Sequence, residues 1–275
     1  MDSINETAKL HNGVVIPYFG LGVYKVEEGA QVEGVVAEAL RLGYRLIDTA
    51  ALYQNEEGVG RAIRESGLPR EDIFITTKVW NSDQGYDSTM KAFETSLRRL
   101  GLEYIDLYLV HWPVKGKYMD TWRALEKIYE EGKVRAIGVS NFNIHHLEDV
   151  MGQSKLKPAV NQVELHPVLA QKELRQFCEK NDILVQAWSP LARGRILADP
   201  ILTAIAEKYG KSPAQVILRW HLQNGVAVIP KSITPSRLKE NADIFDFELL
   251  MNDMDLINKL DAGTRFGADP DNFAF

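Results

Sequence analysis

Eight short apolar runs, rich in Val and Ile, recur along the chain with amphipathic stretches between them, and this alternation restricts the fold more than any other feature. The runs are PYFGLGV (17–23), YRLID (44–48), IFITTKV (73–79), YIDLYLVHW (104–112), VRAIGVS (134–140), AVNQVEL (159–165), ILVQAW (183–188) and VAVIP (226–230). Their composition is that of strands buried on both faces of a parallel sheet. Between them, QVEGVVAEALRLG (31–43), DSTMKAFETSLRRLG (87–101) and TWRALEKIYEEG (121–132) place apolar residues three and four apart and end at Gly, as helices do. Steady β/α alternation predicts an α/β chain, and eight units favour a closed (β/α)8 TIM barrel. An open doubly wound sheet is the alternative.

Ahead of the first run, AKLHNGVVIP (8–17) reads as a β-hairpin with its turn at Asn12-Gly13, suited to close the barrel floor. After Pro235, SRLKENADIF (236–245) reads as the last barrel helix and NDMDLINKL (252–260) as an extra C-terminal helix. The tail DAGTRFGADPDNFAF (261–275) carries Phe266, Phe273 and Phe275, more apolar surface than an idle tail needs, so it is expected to pack over something. No Pro/Gly/Ser-rich linker or charge block divides the chain, which predicts a single domain over residues 1–275.

The totals narrow the partners. At 275 residues, 45% hydrophobic and 25% charged, the chain matches a single α/β barrel, which commonly runs to about 250 residues. The formal charge is -6, from 38 acidic and 32 basic residues, with no long basic run; this argues against a nucleic-acid partner. Cys178 is the only cysteine, so internal disulfides and thiolate metal clusters are excluded and a reducing compartment is expected. The first twenty residues lack a signal-peptide pattern, and no run reaches the roughly 18 apolar residues of a membrane helix. The expectation is a cytoplasmic monomer.

In a barrel, chemistry sits at the C-terminal strand ends. Those ends carry Asp48, Lys78, His111, Ser140 and Asn141, Gln162, Trp188 and Ser189, and then Lys231 and Ser232. Each alone has a plain structural reading: Asp48 could open a turn, Lys78 could snorkel, and His111 could be a satisfied core histidine. Together at one rim they form a candidate site. Lys78 lies in apolar surroundings, and Asp48 on the neighbouring strand is its natural counter-ion. Tyr53 follows Asp48 by five positions. An ammonium nearby is expected to lower a phenol that titrates near ~10, and bringing it to neutrality takes roughly 4 kcal/mol. A proton donor, its activator, the activator's partner and a neutral ring suit protonation of a carbonyl oxygen during reduction.

Other chemistries lack their residues. No HExxH spacing appears, and His145-His146 sit where a helix opens, so no metal site is expected. There is no GxSxG elbow. GLGVYK (20–25) and GVGRAI (58–63) lack the third glycine of a Rossmann fingerprint, and the second lies in a helix pattern. Reduction needs a hydride source that side chains cannot supply. The segment IPKSITPSRLKEN (229–241) offers Lys231, Ser232 and Arg237 around a helix start, a natural phosphate grip or, equally, a capped helix with exposed basic residues. Trp188 offers a flat face for a nicotinamide ring, or simply packs the rim.

The ordered stretches LIDTAALYQNE, IFITTKVW, DLYLVHWP, GVSNF, NQVELHP, QAWSPLARG and IPKSITPSRLKEN closely resemble the aldo-keto reductase family over nearly the whole chain. The resemblance implies a barrel that binds NADPH in extended form without a Rossmann domain. It implies Tyr53 as general acid, Lys78 and Asp48 as its tuning pair, and His111 as the residue orienting the substrate carbonyl. Carboxamide contacts would fall on Ser140, Asn141 and Gln162, ring stacking on Trp188, and the pyrophosphate loop on Ser189, Leu191 and Gly194. The adenosine phosphate would meet Lys231, Ser232, Arg237, Glu240 and Asn241, and Gly22, Val23 and Tyr24 would line the first loop.

Many relatives stack a tyrosine where this chain has Trp188. The segment PVKGKYMDTW (113–122) and the tail are shorter than in larger eukaryotic members, as in the bacterial-type, short-loop ones. Those reduce aldehydes, α-dicarbonyls such as glyoxal and methylglyoxal, and keto-sugars. Tyr24, Trp80, Trp112 and His111 would form the substrate pocket. A cofactor-sensing regulatory protein on the same barrel is the rival reading, and a Schiff-base lyase using Lys78 a third.

Overall fold

The computed structural model describes residues 1–273. A two-stranded antiparallel hairpin, β1 (Thr7–Lys9) and β2 (Val15–Pro17), precedes β3 (Leu21–Gly22). The chain then runs through α1 (Ala30–Arg41), β4 (Leu46–Asp48), α2 (Glu56–Glu65), β5 (Phe74–Val79), α3 (Tyr86–Leu100), β6 (Ile105–Val110) and α4 (Tyr118–Glu130). It continues with β7 (Val134–Ser140), α5 (Ile144–Gln153), β8 (Val160–Glu164), α6 (Lys172–Lys180), β9 (Leu184–Trp188), α7 (Pro200–Tyr209), α8 (Pro213–Gln223), β10 (Ala227–Val228), α9 (Pro235–Ala242) and α10 (Met251–Asn258).

Strands β3 to β10 pair in parallel and in chain order, without the switch in strand order that a doubly wound sheet requires. The two ends of the sheet meet: Val228 N donates to Tyr18 O at 2.8 Å and Gly20 N to Val228 O at 2.9 Å. The sheet is therefore a closed barrel, and the open-sheet alternative is set aside.

Period-two alternation divides each strand between two environments. Ile47, Ile75, Tyr108 and Val139 point outward into the core beneath the helices. Leu46, Phe74, Leu107, Leu109, Ala136 and Val160 point inward near the floor. Ala8, Leu10 and Ile16 of the hairpin region join that inner cluster, so the hairpin plugs the barrel from below. Higher on the same inward rows the residues become polar: Asp48, Lys78, Ser140, Gln162, Glu164 and Gln186 are all buried. Apolar floor and polar rim follow from one repeat.

The helices are local consequences of sequence. In α3 the buried positions Thr89, Phe93, Ser96 and Leu100 fall on one stripe, and Gly101 ends the helix at φ 63° with its N–H on Leu97 and Arg98 carbonyls. Ser212 and Gln215 form a capping box on α8 with Pro213 at the first turn.

Two details differ from the sequence expectation. The hairpin turn is a three-residue loop, His11 to Gly13, closed by Leu10 N to Val14 O at 2.8 Å, and of these residues only Gly13 takes a positive φ, 88°. Asn12 instead spends its side chain on Val14 N and on Arg135 O, which moors the hairpin to the barrel. Strand β9 is followed by two helices, α7 and α8, rather than one. The extra helix α10 is present where the sequence placed it.

Candidate active site

The C-terminal strand ends bring Asp48, Lys78, Tyr53 and His111 together. Lys78 Nζ donates to Asp48 Oδ1 at 2.6 Å, to Thr49 O at 2.9 Å and to the Tyr53 hydroxyl at 3.4 Å. Both members of the ion pair are buried, with side chains 0% and 2% exposed. Burial pushes the Asp48 carboxyl up and the Lys78 ammonium down, each against their mutual attraction. Register explains the meeting, since Asp48 pairs with Thr76 and Lys78 stands two residues on, along the same inward row.

Tyr53 sits in a short 3-10 turn, Ala51–Tyr53, after which Gln54 turns the chain at φ 57°. Its ring lies 5.9 Å from His111 and 5.0 Å from Tyr24. The phenol is pushed well above its ordinary value, first by burial and then by the charge of Asp48. This corrects the expectation of a phenol lowered by Lys78: the ammonium is spent on Asp48 at 2.6 Å and reaches Tyr53 only at 3.4 Å. Tyr53 therefore carries its proton at neutral pH. His111 is driven well below the ordinary imidazole value by burial and by Lys78, so its ring is neutral.

Around this centre runs a connected polar layer. Gln162 Nε2 donates to Asp48 Oδ2 and to Gln186 Oε1, both at 2.7 Å. Ser140 Oγ donates to Gln162 O at 2.8 Å, and Asn141 Nδ2 donates to His111 O at 3.0 Å. Trp188 Nε1 donates to Asn141 Oδ1 at 2.8 Å. Asn141 holds φ 63°, a conformation Asn tolerates better than most residues. Gln162 Nε2 is thus occupied by Asp48 and Gln186, while the Gln186 amide nitrogen is buried without a partner.

Gly22 and Val23 are buried at the end of β3, where Val23 N donates to Asp48 O at 3.1 Å, and Tyr24 is 48% exposed above them. Past β9 the chain bends sharply: Ser189, Ala192 and Arg193 hold φ of 47°, 51° and 55°, beside Leu191 and before Gly194 at 80°. Non-glycine residues in this region cost about 1–3 kcal/mol each and tend to cluster at functional loops. Lys231 and Arg237 are exposed and form no ion pair among the described residues. Ser232 turns its hydroxyl onto Thr234 N and O ahead of α9. Asn241 is buried, and the Glu240 carboxylate accepts from Ser212 at 2.6 Å.

Trp80 lies 5.1 Å from the His111 ring, and Trp112 stacks on Phe273 at 4.5 Å. The tail does pack over the rim; Phe275 lies outside the described residues. A cavity of about 1020 Å³ opens elsewhere, beside the floor hairpin. Its lining includes the start of β9 but none of Asp48, Tyr53, Lys78 and His111, and its lining cations Lys9, Lys172 and Arg175 are matched by Glu179, Asp182 and Asp261.

His145, His146 and Asp271 lie close enough together to ligate a metal. However, His146 Nδ1 accepts from Asn143 N at 3.1 Å, which leaves the ring proton on the nitrogen facing Asp271. The cluster is a hydrogen-bonded clasp. Sequence reasoning passed over Gln186 and Glu164, although their inward spacing, two residues from Trp188 and Gln162, carried the signal. It also missed Asn55, whose buried side chain holds Thr49 and the Val23 and Val26 carbonyls together.

Residues 20–262 match the Aldo/keto reductase family. The chain is 60% identical over 273 residues to glyoxal reductase of Bacillus subtilis (strain 168), covering 99% of each chain. A crystal structure of an aldo/keto reductase from Brucella melitensis superposes with a TM-score of 0.90 at 56% identity, covering 93% of this chain and 99% of that one. A variant of Gox0644 crystallised with NADPH superposes with a TM-score of 0.93 at 47% identity, covering 98% and 99%. The chain belongs to the aldo/keto reductase family of oxidoreductases.

Proposed function

We propose that the protein reduces small carbonyl compounds with NADPH, namely aldehydes, α-dicarbonyls such as glyoxal and methylglyoxal, and keto-sugars, to alcohols. The observation that carries this reading is the Tyr53 hydroxyl, protonated and 3.4 Å from a buried Lys78 ammonium held on Asp48. NADPH, when bound, supplies the hydride to the carbonyl carbon. Tyr53 supplies the proton to the carbonyl oxygen. Because burial disfavours a lone phenolate, Lys78 matters most when that charge appears, a stabilisation fixed before the reaction begins. Asp48 and Thr49 hold the ammonium in place. Neutral His111 donates a hydrogen bond to the carbonyl without adding a charge that would compete with Lys78.

The donor set fits the cofactor. Ser140, Asn141 and Gln162 form a polar corner for a carboxamide, and half-buried Trp188 offers a flat face to the ring. Ser189, Leu191 and Gly194 would border the pyrophosphate, and Gly22, Val23 and Tyr24 of the first loop would flank the cofactor. Exposed Lys231 and Arg237, with Ser232, Glu240 and Asn241, surround the start of α9, where free N–H groups and cations suit a phosphate. Tyr24, Trp80 and Trp112 wall the substrate pocket, with His111 at its base. The likeness to a glyoxal reductase and to a protein crystallised with NADPH supports the same reading. Buried, unpaired Cys178 agrees with a reducing compartment such as the cytoplasm, and we propose that the protein acts there as a monomer.

The test mixes protein, NADPH and a panel of glyoxal, methylglyoxal, aromatic aldehydes and keto-sugars, and follows loss of NADPH absorbance. Consumption with dicarbonyls and aldehydes is expected. Tight NADPH binding without consumption would instead indicate a cofactor sensor.

A further inference from the structure

We propose that Glu164 is a positioning residue that seats the C-terminal tail, residues 261–273, across the barrel mouth and thereby fixes Trp188, beside the cofactor site, and the Trp112 wall of the substrate pocket. Glu164 ends β8 on the inward row and is 0% exposed. A buried carboxylate must be satisfied, and the tail satisfies this one. Oε1 accepts from Phe266 N at 2.8 Å and faces His166 Nε2 at 3.0 Å, while Oε2 accepts from Gly267 N at 2.9 Å. These bonds outweigh the effect of burial and keep the carboxyl ionised, below its ordinary value. With both oxygens engaged, Glu164 has none free for substrate.

The seat transmits to the pocket by contact. A Cβ added at Gly267 would meet Trp188 Cη2 at 2.4 Å and Glu164 Oε2 at 2.9 Å. Only a bare backbone lies this close to the indole, which the register sets opposite Glu164. Phe266 is held between His166, 5.2 Å away, and the Arg195 guanidinium, 4.8 Å away. Farther along, Asn143 Nδ2 donates to Asp271 Oδ2 at 2.8 Å, His145 Nε2 lies 3.1 Å from Asp271 Oδ1, and Phe273 stacks on Trp112. The tail is thus a strap from the end of β9 to the loop after β6, held at its start by the Val168 carbonyl and at the barrel mouth by Glu164.

The peptide bond between Arg265 and Phe266 is the one whose N–H Glu164 binds, so trypsin reads the seat directly in the full-length protein. Glu164→Gln replaces an acceptor with a donor and is expected to raise cleavage after Arg265 about tenfold or more. It should raise KM for glyoxal about tenfold while kcat stays within about threefold. Gly267→Ala, which keeps both the Glu164 carboxylate and the His166 ring, is expected to do the same and guards against misfolding of the first variant. Parental cleavage rates in both variants, or a fall in kcat at unchanged KM, would overturn the proposal. The kinetic part rests on the proposed function; if the parent protein consumes no NADPH with any carbonyl, that function fails while cleavage still decides the seat.

Discussion

Lys78 Nζ lies 2.6 Å from Asp48 Oδ1, with both side chains out of solvent, so each residue carries the other's directly paired charge. Removing one partner of such a pair typically costs about 3–5 kcal/mol, because the other charge stays buried alone. Lys78→Met or Asp48→Asn alone is expected to lower stability by that order, and the double variant by less than the sum. Denaturant midpoints across the four proteins check it; additive losses would show that the pair is uncoupled.

Tyr53 sets the alkaline behaviour. Its folded-state value lies well above the ordinary phenol, so the protonated donor persists as pH rises past ~10, where a free phenol would ionise. The rate of reduction with saturating NADPH should therefore show no loss attributable to the donor between neutral pH and about 10. A decline centred near neutrality would mean that Lys78 lowers Tyr53 after all.

Buried histidines set the acid behaviour. His221 is pushed down to about 3 and His146 to about 4, both chiefly by burial, and His111 well below 6.5. Depressed imidazoles contribute stability that is present above the unfolded value of about 6.5 and is lost as pH falls toward the folded values. Melting temperature is expected to fall between pH ~6.5 and ~3. His221→Gln, which can still donate to Pro190 O, should flatten part of that slope; an unchanged slope would exclude His221 as a contributor.

Arg237 is exposed at the first turn of α9. Arg237→Ala is expected to weaken NADPH binding about tenfold or more and NADH binding hardly at all, as a lost phosphate fork would. Fluorescence titration with both cofactors checks it, and equal losses would remove Arg237 from 2'-phosphate recognition.

Ile16 is fully buried in the floor plug, away from the rim. Ile16→Ala should cost about 2–5 kcal/mol of stability while leaving kcat near the parental value below the melting range. Thermal unfolding and steady-state kinetics on one preparation separate the two.

Much of this architecture was legible because burial on both faces writes a continuous apolar run, and a barrel writes eight. The rim set was legible because Asp48, Lys78 and His111 end such runs, where inward-pointing polar groups have only one another to meet. The direction of the Tyr53 shift was not, because it is set by burial and then by the charge of Asp48, which depend on the folded surroundings and not on spacing along the chain. Nor was the tail's seat, since Glu164 and Phe266 are 102 residues apart and the bond uses a backbone N–H that any residue would offer. The hairpin turn misled for a related reason: Asn12 is as suited to bonding neighbours as to positive φ, and Arg135, which it bonds, lies 123 residues away.

The central claim, that Tyr53 gives the proton on which reduction depends, is tested most directly by Tyr53→Phe. The substitution deletes one oxygen and keeps the ring against Tyr24 and His111. NADPH affinity is expected to stay within about threefold of the parent while kcat with glyoxal falls by about 10²–10⁴-fold. An unchanged kcat would contradict the account.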